Sequence, residues 1–289
     1  MKILITNEFL DLFGGSEAWC YAIASELKRR QYDVFIYTPL KGKIYKEFEK
    51  LGILFSNTGH FDLILDNHNL IKNFTSDVII HTCHGITPLG QPIKNNNIIN
   101  VAVSEGIGKK WGVNKIITNG IDTNRFFPIT KPRKKLQKIL SLCKSDTAND
   151  ILKIICNDIN VDLEIMYGKE IFNIENKINE SDLVIGVGRS LLDAMSCGRP
   201  VISFDDRFYF KTRMLGYGYI TPDKFDKYIK DSFTGNAEQK TLTKLDLVKE
   251  IVLKYNPNDG EINRKFILEN YNISKTVDEY LKIYNKYKK

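Results

Sequence analysis

Short apolar runs recur through the first part of the chain, at residues 3–5, 34–37, 63–65, 78–80, 98–103 and 116–118, with helical or loop stretches between them. Each run has the length of a strand buried on both faces, and the alternation is the rhythm of a parallel α/β sheet. A second series follows at 139–143, 163–166, 183–187 and 201–204. The intervening TKPRKKLQK, residues 130–138, is polar, basic and proline-containing, so it reads as a connection between two sheets. The pattern predicts an α/β chain of two Rossmann-like domains, 1–130 and 131–270. A final segment, 271–289, is predicted to be helical, with Val277, Tyr280, Leu281 and Tyr284 on one face, packed on its own domain or back on the first. Ligands of such sheets bind at the carboxyl ends of the strands, so the expected site is a central cleft that the two domains face.

The densest pattern is SDLVIGVGRSLLDAMSCGRPVISFDD, residues 181–206, which reads as strand, turn, helix and strand. Leu183, Val184, Ile185 and Val187 fill the strand, Gly186 and Gly188 make the turn, and Ser190 is placed as the N-cap. Leu191, Leu192, Ala194 and Met195 follow at helical spacing, and Gly198 closes the helix before Pro200 opens the next strand. The NH groups of such a helix start attract anions. Arg189 adds a bidentate donor for phosphate, and Asp193, one turn in, can accept from sugar hydroxyls. Two readings stand. In one the segment is a dinucleotide site of a nicotinamide-dependent oxidoreductase, with Gly186-x-Gly188 followed by Asp205 and Asp206 at the ribose-binding position and Leu191 in place of the third glycine.

The other rests on resemblance. GRSLLDAMSCGRPVIS resembles the signature of retaining glycosyltransferases of the two-Rossmann, GT-B type, specifically glycosyltransferase family 4. Other pieces agree in order. MKILITNEFLDLFGGSEAW places Gly14, Gly15 and Glu17 after the first strand, and VIIHTCHG puts His84 and Gly85 at a strand end. NVAVSEGIGKKWG and KIITNGIDTNRFFP are similar to the family's pieces around Ser104 and around Asn119, Gly120, Ile121 and Asp122. The resemblance implies transfer of a sugar from a nucleoside diphosphate, with retention, no metal and no cofactor, the nucleotide sugar being a substrate.

The same resemblance implies the site. His84 hydrogen-bonds the donor sugar, and Arg189 acts beside the diphosphate. That group gathers negative charge as the anomeric carbon becomes cation-like, so donors aimed at it favour the transition state over the ground state. Donor binding falls to Gly14, Gly15, Lys144, Gly188, Ser190, Leu191 and Asp193. Lys144 stands where the family has a phosphate-binding cation, and glycines at 14 and 15 let backbone approach the diphosphate. Asp193 matches the second acid of the family's pair, one methylene short. The first acid has no counterpart, because the strand runs straight into Gly186-Val187-Gly188, and the family's second cation is absent from SDTAND, residues 145–150. Those departures keep open a nucleotide-binding protein without transfer activity.

Composition narrows the partners. With 289 residues, 43% hydrophobic, the chain can bury two modest cores. Its net charge of +7 concentrates at 131–138 and 280–289, which reads as solvated surface or as weak attraction to an acidic membrane or nucleic acid. No nucleic-acid module accompanies it. No apolar stretch approaches the roughly 18 residues of a membrane span, so the expected location is cytoplasmic, with peripheral membrane contact left open. Five widely spaced cysteines without a CxxC pair predict buried thiols. Of the four histidines, His81 and His84 lie three apart on a strand and point to opposite faces, which argues against a shared metal. The acceptor stays open among glycan, lipid-linked saccharide, small metabolite, protein and modified nucleobase.

Overall fold

The computed structural model describes residues 1–11, 14–85, 88–169, 172–207, 212–231 and 233–288. They form two compact units, Met1–Asp122 with Tyr271–Lys289, and Thr123–Asn270.

The first unit contains β1 (Lys2–Thr6), β2 (Phe9–Leu10), β3 (Asp33–Tyr37), β4 (Leu40–Lys41), β5 (Leu54–Phe55), β6 (Gly59–Asp66), β7 (Phe74–Cys83) and β8 (Ile98–Ala102). Its helices are α1 (Gly15–Arg29), α2 (Tyr45–Lys50) and α3 (Glu105–Trp111). Six strands make one wholly parallel sheet in the order β5-β3-β1-β6-β7-β8, and β2 pairs with β4. Ile3, Leu4 and Ile5 of the central β1 are fully buried, as a strand covered on both faces requires.

The second unit contains β9 (Lys138–Ser141), β10 (Asp162–Ile165), β11 (Leu183–Gly186), β12 (Val201–Asp205) and β13 (Leu215–Tyr219). With them are α4 (Asp146–Asp158), α5 (Ile174–Glu180), α6 (Arg189–Ser196), α7 (Phe225–Tyr228), α8 (Lys244–Lys254) and α9 (Asp259–Asn270). The sheet order is β10-β9-β11-β12-β13, parallel except for β13, which runs antiparallel to β12. Ile139, Leu183, Ile185, Ile202 and Phe204 build its core with Leu152 and Ile155 of α4 and Leu247 and Ile251 of α8. Two Rossmann-like α/β units are thus the architecture.

Two expectations are corrected. Residues 116–118 make no strand: Ile116 forms a single bridge to Ala102. The chain passes between units at Asp122/Thr123, ahead of residues 130–138. That basic stretch is fastened to the second unit, because the buried Asp182 carboxylate accepts from the backbone N–H of Arg133, Gln137 and Lys138, each at 2.9 Å. The fully buried Arg199 also holds it, donating to the Thr130 carbonyl. One strand, β13, went unread in the sequence, because its LGYGY is rich in glycine and tyrosine and contains no apolar run.

The last helix, α10 (Ile273–Tyr287), packs within the first unit. Tyr280 reaches Thr82 Oγ1 at 3.0 Å and meets Trp19 edge-on, and Arg30 pairs with Asp278 at 2.6 Å. Gly120 admits this return, since a Cβ there would lie 2.6 Å from Ile273 Cα. No helix of the described residues is long and apolar enough to cross a membrane. All five cysteines are buried as free thiols.

Candidate functional site

In both units the polar side chains of interest stand at the carboxyl ends of the parallel strands. In the second unit β11 stops at Gly186 and α6 starts at Arg189. The two glycines of this turn have different reasons. A Cβ at Gly186 would lie 2.9 Å from Ser190 Oγ, whereas Gly188 adopts φ 67° and ψ −136°, open to glycine alone. Gly188 also holds the cap position expected for Ser190. Ser190 sits inside the first turn instead, its hydroxyl donating to the Val187 carbonyl at 2.9 Å. Leu191 is fully buried, and its N–H is donated to Gly188 O at 3.1 Å, so its part is packing.

Arg189 Nε and Asp193 Oδ1 are 3.7 Å apart, with side chains 12% and 10% exposed. Burial pushes the Asp193 carboxyl up to about 6, against the pull of Arg189 and Arg125. Asp193 Oδ1 has no hydrogen-bond partner among the described residues. Arg125 pairs with Glu175 at 3.0 Å and lies over the Phe172 ring. The exposed Lys144 follows β9, and its backbone N–H donates to Asp205 Oδ2 at 3.0 Å. Asp205 accepts further from Asp206 N and Arg207, and Asp206 from Arg213 and Met214 N. Both acids are therefore taken up by described groups at the end of β12 and ahead of β13, which explains them without a dinucleotide.

In the first unit two rows of side chains cross β1, β6 and β7. In one, Thr6 Oγ1 donates to Asp66 Oδ1 at 2.7 Å, His81 Nδ1 meets Asp66 Oδ2 at 2.6 Å, and His81 Nε2 meets the Gln91 carbonyl at 2.9 Å. Both imidazole nitrogens face acceptors, which calls for the imidazolium. Burial alone would lower the His81 pKa; Asp66, with Cys83 adding to it, outweighs burial and raises it to about 9.

The other row joins Asn7, Asn67 and His84, with His84 Nε2 at 2.9 Å from Asn67 Oδ1 and the ring edge-on to Trp19. His84 borders a cavity of about 220 Å³ together with Gly15, Ser16, His68, Thr82 and Asn119. His68 is a site residue the sequence pattern did not single out. Its φ of 65° after a buried strand is the kind of backbone strain that collects at binding sites, but strain is invisible in a residue string. Its Nδ1 accepts from the Glu8 N–H at 3.2 Å, and burial holds the ring below its ordinary pKa although Glu8, Glu17 and Asp66 pull the other way. Asn119 Oδ1 is buried without a hydrogen-bond partner among the described residues.

The paired glycines separate. A Cβ on Gly14 would meet Glu17 Oε2 at 2.5 Å, so Gly14 makes room for the carboxylate that accepts from Asn7 and Ser16. A Cβ on Gly15 would meet nothing within 4 Å. Other motif residues have local duties: Ser104 caps α3, and Asp122 pairs with Arg29 at 3.0 Å. Among the described residues no group of three His, Cys, Asp or Glu is placed to hold a metal ion.

No protein-family model and no curated protein sequence matches the chain. Solved structures do. A glycosyltransferase from Rickettsia africae superposes with a TM-score of 0.59 at 14% identity, covering 99% of this chain and 98% of its own. Anabaena HepE in complex with UDP gives 0.59 at 12% identity, covering 99% and 100%. The UDP-GlcNAc 2-epimerase of Neisseria meningitidis, bound to UDP-GlcNAc, gives 0.53 at 13%, covering 99% and 100%. This likeness shows the fold, and a fold shared by a transferase and an epimerase does not choose the chemistry.

Proposed function

We propose that the chain is a retaining glycosyltransferase of the family 4 type, working in the cytoplasm without a metal ion on a nucleoside diphosphate sugar. The observation that carries the reading is the turn from Gly186 to α6, where a glycine-only backbone at Gly188 sets Arg189 and the buried Asp193 at a helix start behind a parallel strand. That arrangement suits a diphosphate and its nucleoside, and the UDP and UDP-sugar complexes of the neighbouring folds support it.

The roles follow from charge. Arg189, with Lys144 and the backbone of Gly188 and Ser190, binds the diphosphate and stabilises it as it leaves. Asp193 takes the ribose hydroxyls. In the first unit, Gly15 gives backbone access to the ligand and His84 orients the transferred sugar. Retention means that the acceptor attacks the face from which the diphosphate departs.

A panel of nucleotide sugars tested by thermal shift decides whether a donor binds, because a ligand at 100 times its dissociation constant stabilises the fold by about 2.7 kcal/mol. Release of nucleoside diphosphate, followed with acceptors of each class named above, decides transfer. The absence of any shift across the panel overturns the reading. One observation favours a second reading, binding without transfer: only Val187 and Gly188 separate β11 from α6, leaving no room for the family's first acid. A donor that binds and is never turned over would establish it.

A further inference from the structure

Strand β6 ends in Asp66, and two of the next three residues, His68 and Asn69, are left-handed, with φ of 65° and 60°. Residues other than glycine keep that conformation only where their surroundings hold it. Here the Asp66 carboxylate holds it, accepting from the backbone N–H of Asn69 at 3.2 Å and of Leu70 at 2.9 Å. Thr6 and His81 fix that carboxylate in turn, so the buried charged row supports a turn as well as itself. What the turn displays is His68. Its ring is fixed a second time, because Nδ1 stands 3.2 Å from the Glu8 backbone nitrogen, which can only donate. An accepting Nδ1 carries no proton, so the ring is neutral and its proton sits on Nε2. Burial favours the same form, outweighing Glu8, Glu17 and Asp66. The ring borders the first-unit cavity, and Nε2–H is the donor it still has to offer there.

We infer that His68 is a specificity-determining residue that donates its Nε2–H to an oxygen of an uncharged sugar in this cavity. The rest of the described lining agrees. Asn119 Oδ1, buried without a hydrogen-bond partner among the described residues, supplies an acceptor to set against the His68 donor, and the Ser16 and Thr82 hydroxyls border the same space. A sugar hydroxyl both donates and accepts, so it suits both groups. An anion does not: no Lys or Arg is among the described lining residues, and the Glu8, Glu17 and Asp66 carboxylates all act on the His68 ring. The inference rests on the proposed transfer reaction for its use, in which the sugar belongs either to the donor or to an acceptor. The recognition chemistry is the same for both, and the proton on Nε2 depends on neither.

Long-range ¹⁵N–¹H NMR of histidine-labelled protein at pH 7, assigned with His68→Gln, should show wild-type His68 as Nε2–H alone. D-glucose, D-galactose, D-mannose and N-acetyl-D-glucosamine are then titrated, and at least one should move the His68 signals, whereas inorganic phosphate should not. His68→Asn suits the left-handed backbone but is too short to reach the ligand, and should weaken that sugar about 5- to 10-fold, as loss of one neutral hydrogen bond does. His68→Gly takes its place should it fail to fold. His68→Gln, whose amide N–H stands in for Nε2–H, should recover most of the affinity. Calorimetry with the nucleotide sugars of the panel and their parent diphosphates tells the two sources apart. A loss in His68→Asn seen with a nucleotide sugar and absent with its diphosphate assigns the contact to the donor; a loss confined to the free sugar assigns it to the acceptor. An Nδ1–H form in wild type, no response to any of the four sugars or to a bound nucleotide sugar, a response to phosphate, or undiminished affinity in His68→Asn and His68→Gly would overturn the inference. A ring that responds to sugar in a protein that binds no nucleotide sugar would instead count against the transfer reading alone.

Discussion

The strand ends of the two sheets are built from the same topology and opposite chemistry. In the second unit the ends of β11 and β12 are charged: Arg189 stands beside Asp193 after β11, and Asp205 and Asp206 at the end of β12 are engaged by Arg207 and Arg213. In the first unit the cavity at the ends of β1, β6 and β7 is bordered by amides, hydroxyls and imidazoles, while the charged pair Asp66–His81 belongs to the other row. A parallel sheet delivers its strand ends to one edge whatever residues they carry, so the edge is a blank on which polarity is written. The charged end suits diphosphate and the neutral end suits hydroxyls.

The sharpest way to break that division is Arg189→Ala. Diphosphate affinity and transfer should fall together, with a transition-state loss of about 3–4 kcal/mol, because the cation serves both binding and the departing charge. Calorimetry with nucleoside diphosphate and a turnover assay read the two effects, and a folded variant with both intact removes Arg189 from the site. Next in size is the charged row of the first unit. His81 has a folded pKa of about 9 against an ordinary 6.5. Since the folded value is the higher, its stabilisation is complete below about pH 6.5 and is lost as pH rises through about 9, a change on the order of 3 kcal/mol. Denaturant melts of wild type should weaken across that window and those of His81→Gln should not; parallel profiles would show that the pair does not carry the dependence.

His84→Ala tests the neutral end. Transfer should fall on the order of 100-fold through lost orientation of the sugar, while affinity for free nucleoside diphosphate stays nearly intact. Full turnover in the variant ends the assignment. Asp193→Asn should cost nucleoside binding about 1.5–3 kcal/mol with little effect on chemistry at saturation. Equal affinity of wild type for ribo- and deoxyribonucleotide donors would contradict it.

What the residue pattern disclosed follows the same line between the two ends. The longer parallel strands were legible because each contains a compact apolar run, whereas the two-residue β2, β4 and β5 were not, and the turn before α6 was legible because glycine is the only residue that tolerates φ 67° with ψ −136° at Gly188. Strand β13 was not, since LGYGY is held by its neighbours, Tyr219 N–H donating to Glu250 at 2.7 Å, more than by its own pattern. Residues 130–138 look like a free connection until the partners are known, because Asp182 and Arg199, which hold them, lie far along the chain. The amide row escaped for the same reason: Asn7, Asn67 and His84 are ordinary polar residues until three strands set them side by side.

The smallest effect separates the two glycines at the start of α1. Gly14 has a reason inside the protein, the space taken by the Glu17 carboxylate, so replacing it disturbs the fold locally and says nothing about ligands. Gly15 has no such reason. A methyl group there meets no atom within 4 Å, and the position is the first of α1, where alanine restricts the unfolded chain and stabilises the fold by about 0.4–1 kcal/mol. Gly15→Ala should therefore fold as stably as wild type or slightly more so. If a ligand approaches this backbone, the added methyl must displace it, and affinity should drop by about 1 kcal/mol, the low end for an inserted methyl. Melting of the unliganded variant and calorimetry with the donor found in the nucleotide-sugar panel give the two numbers side by side. A variant with raised stability and weakened donor binding assigns Gly15 to the ligand, and unchanged affinity leaves it as a plain helix start.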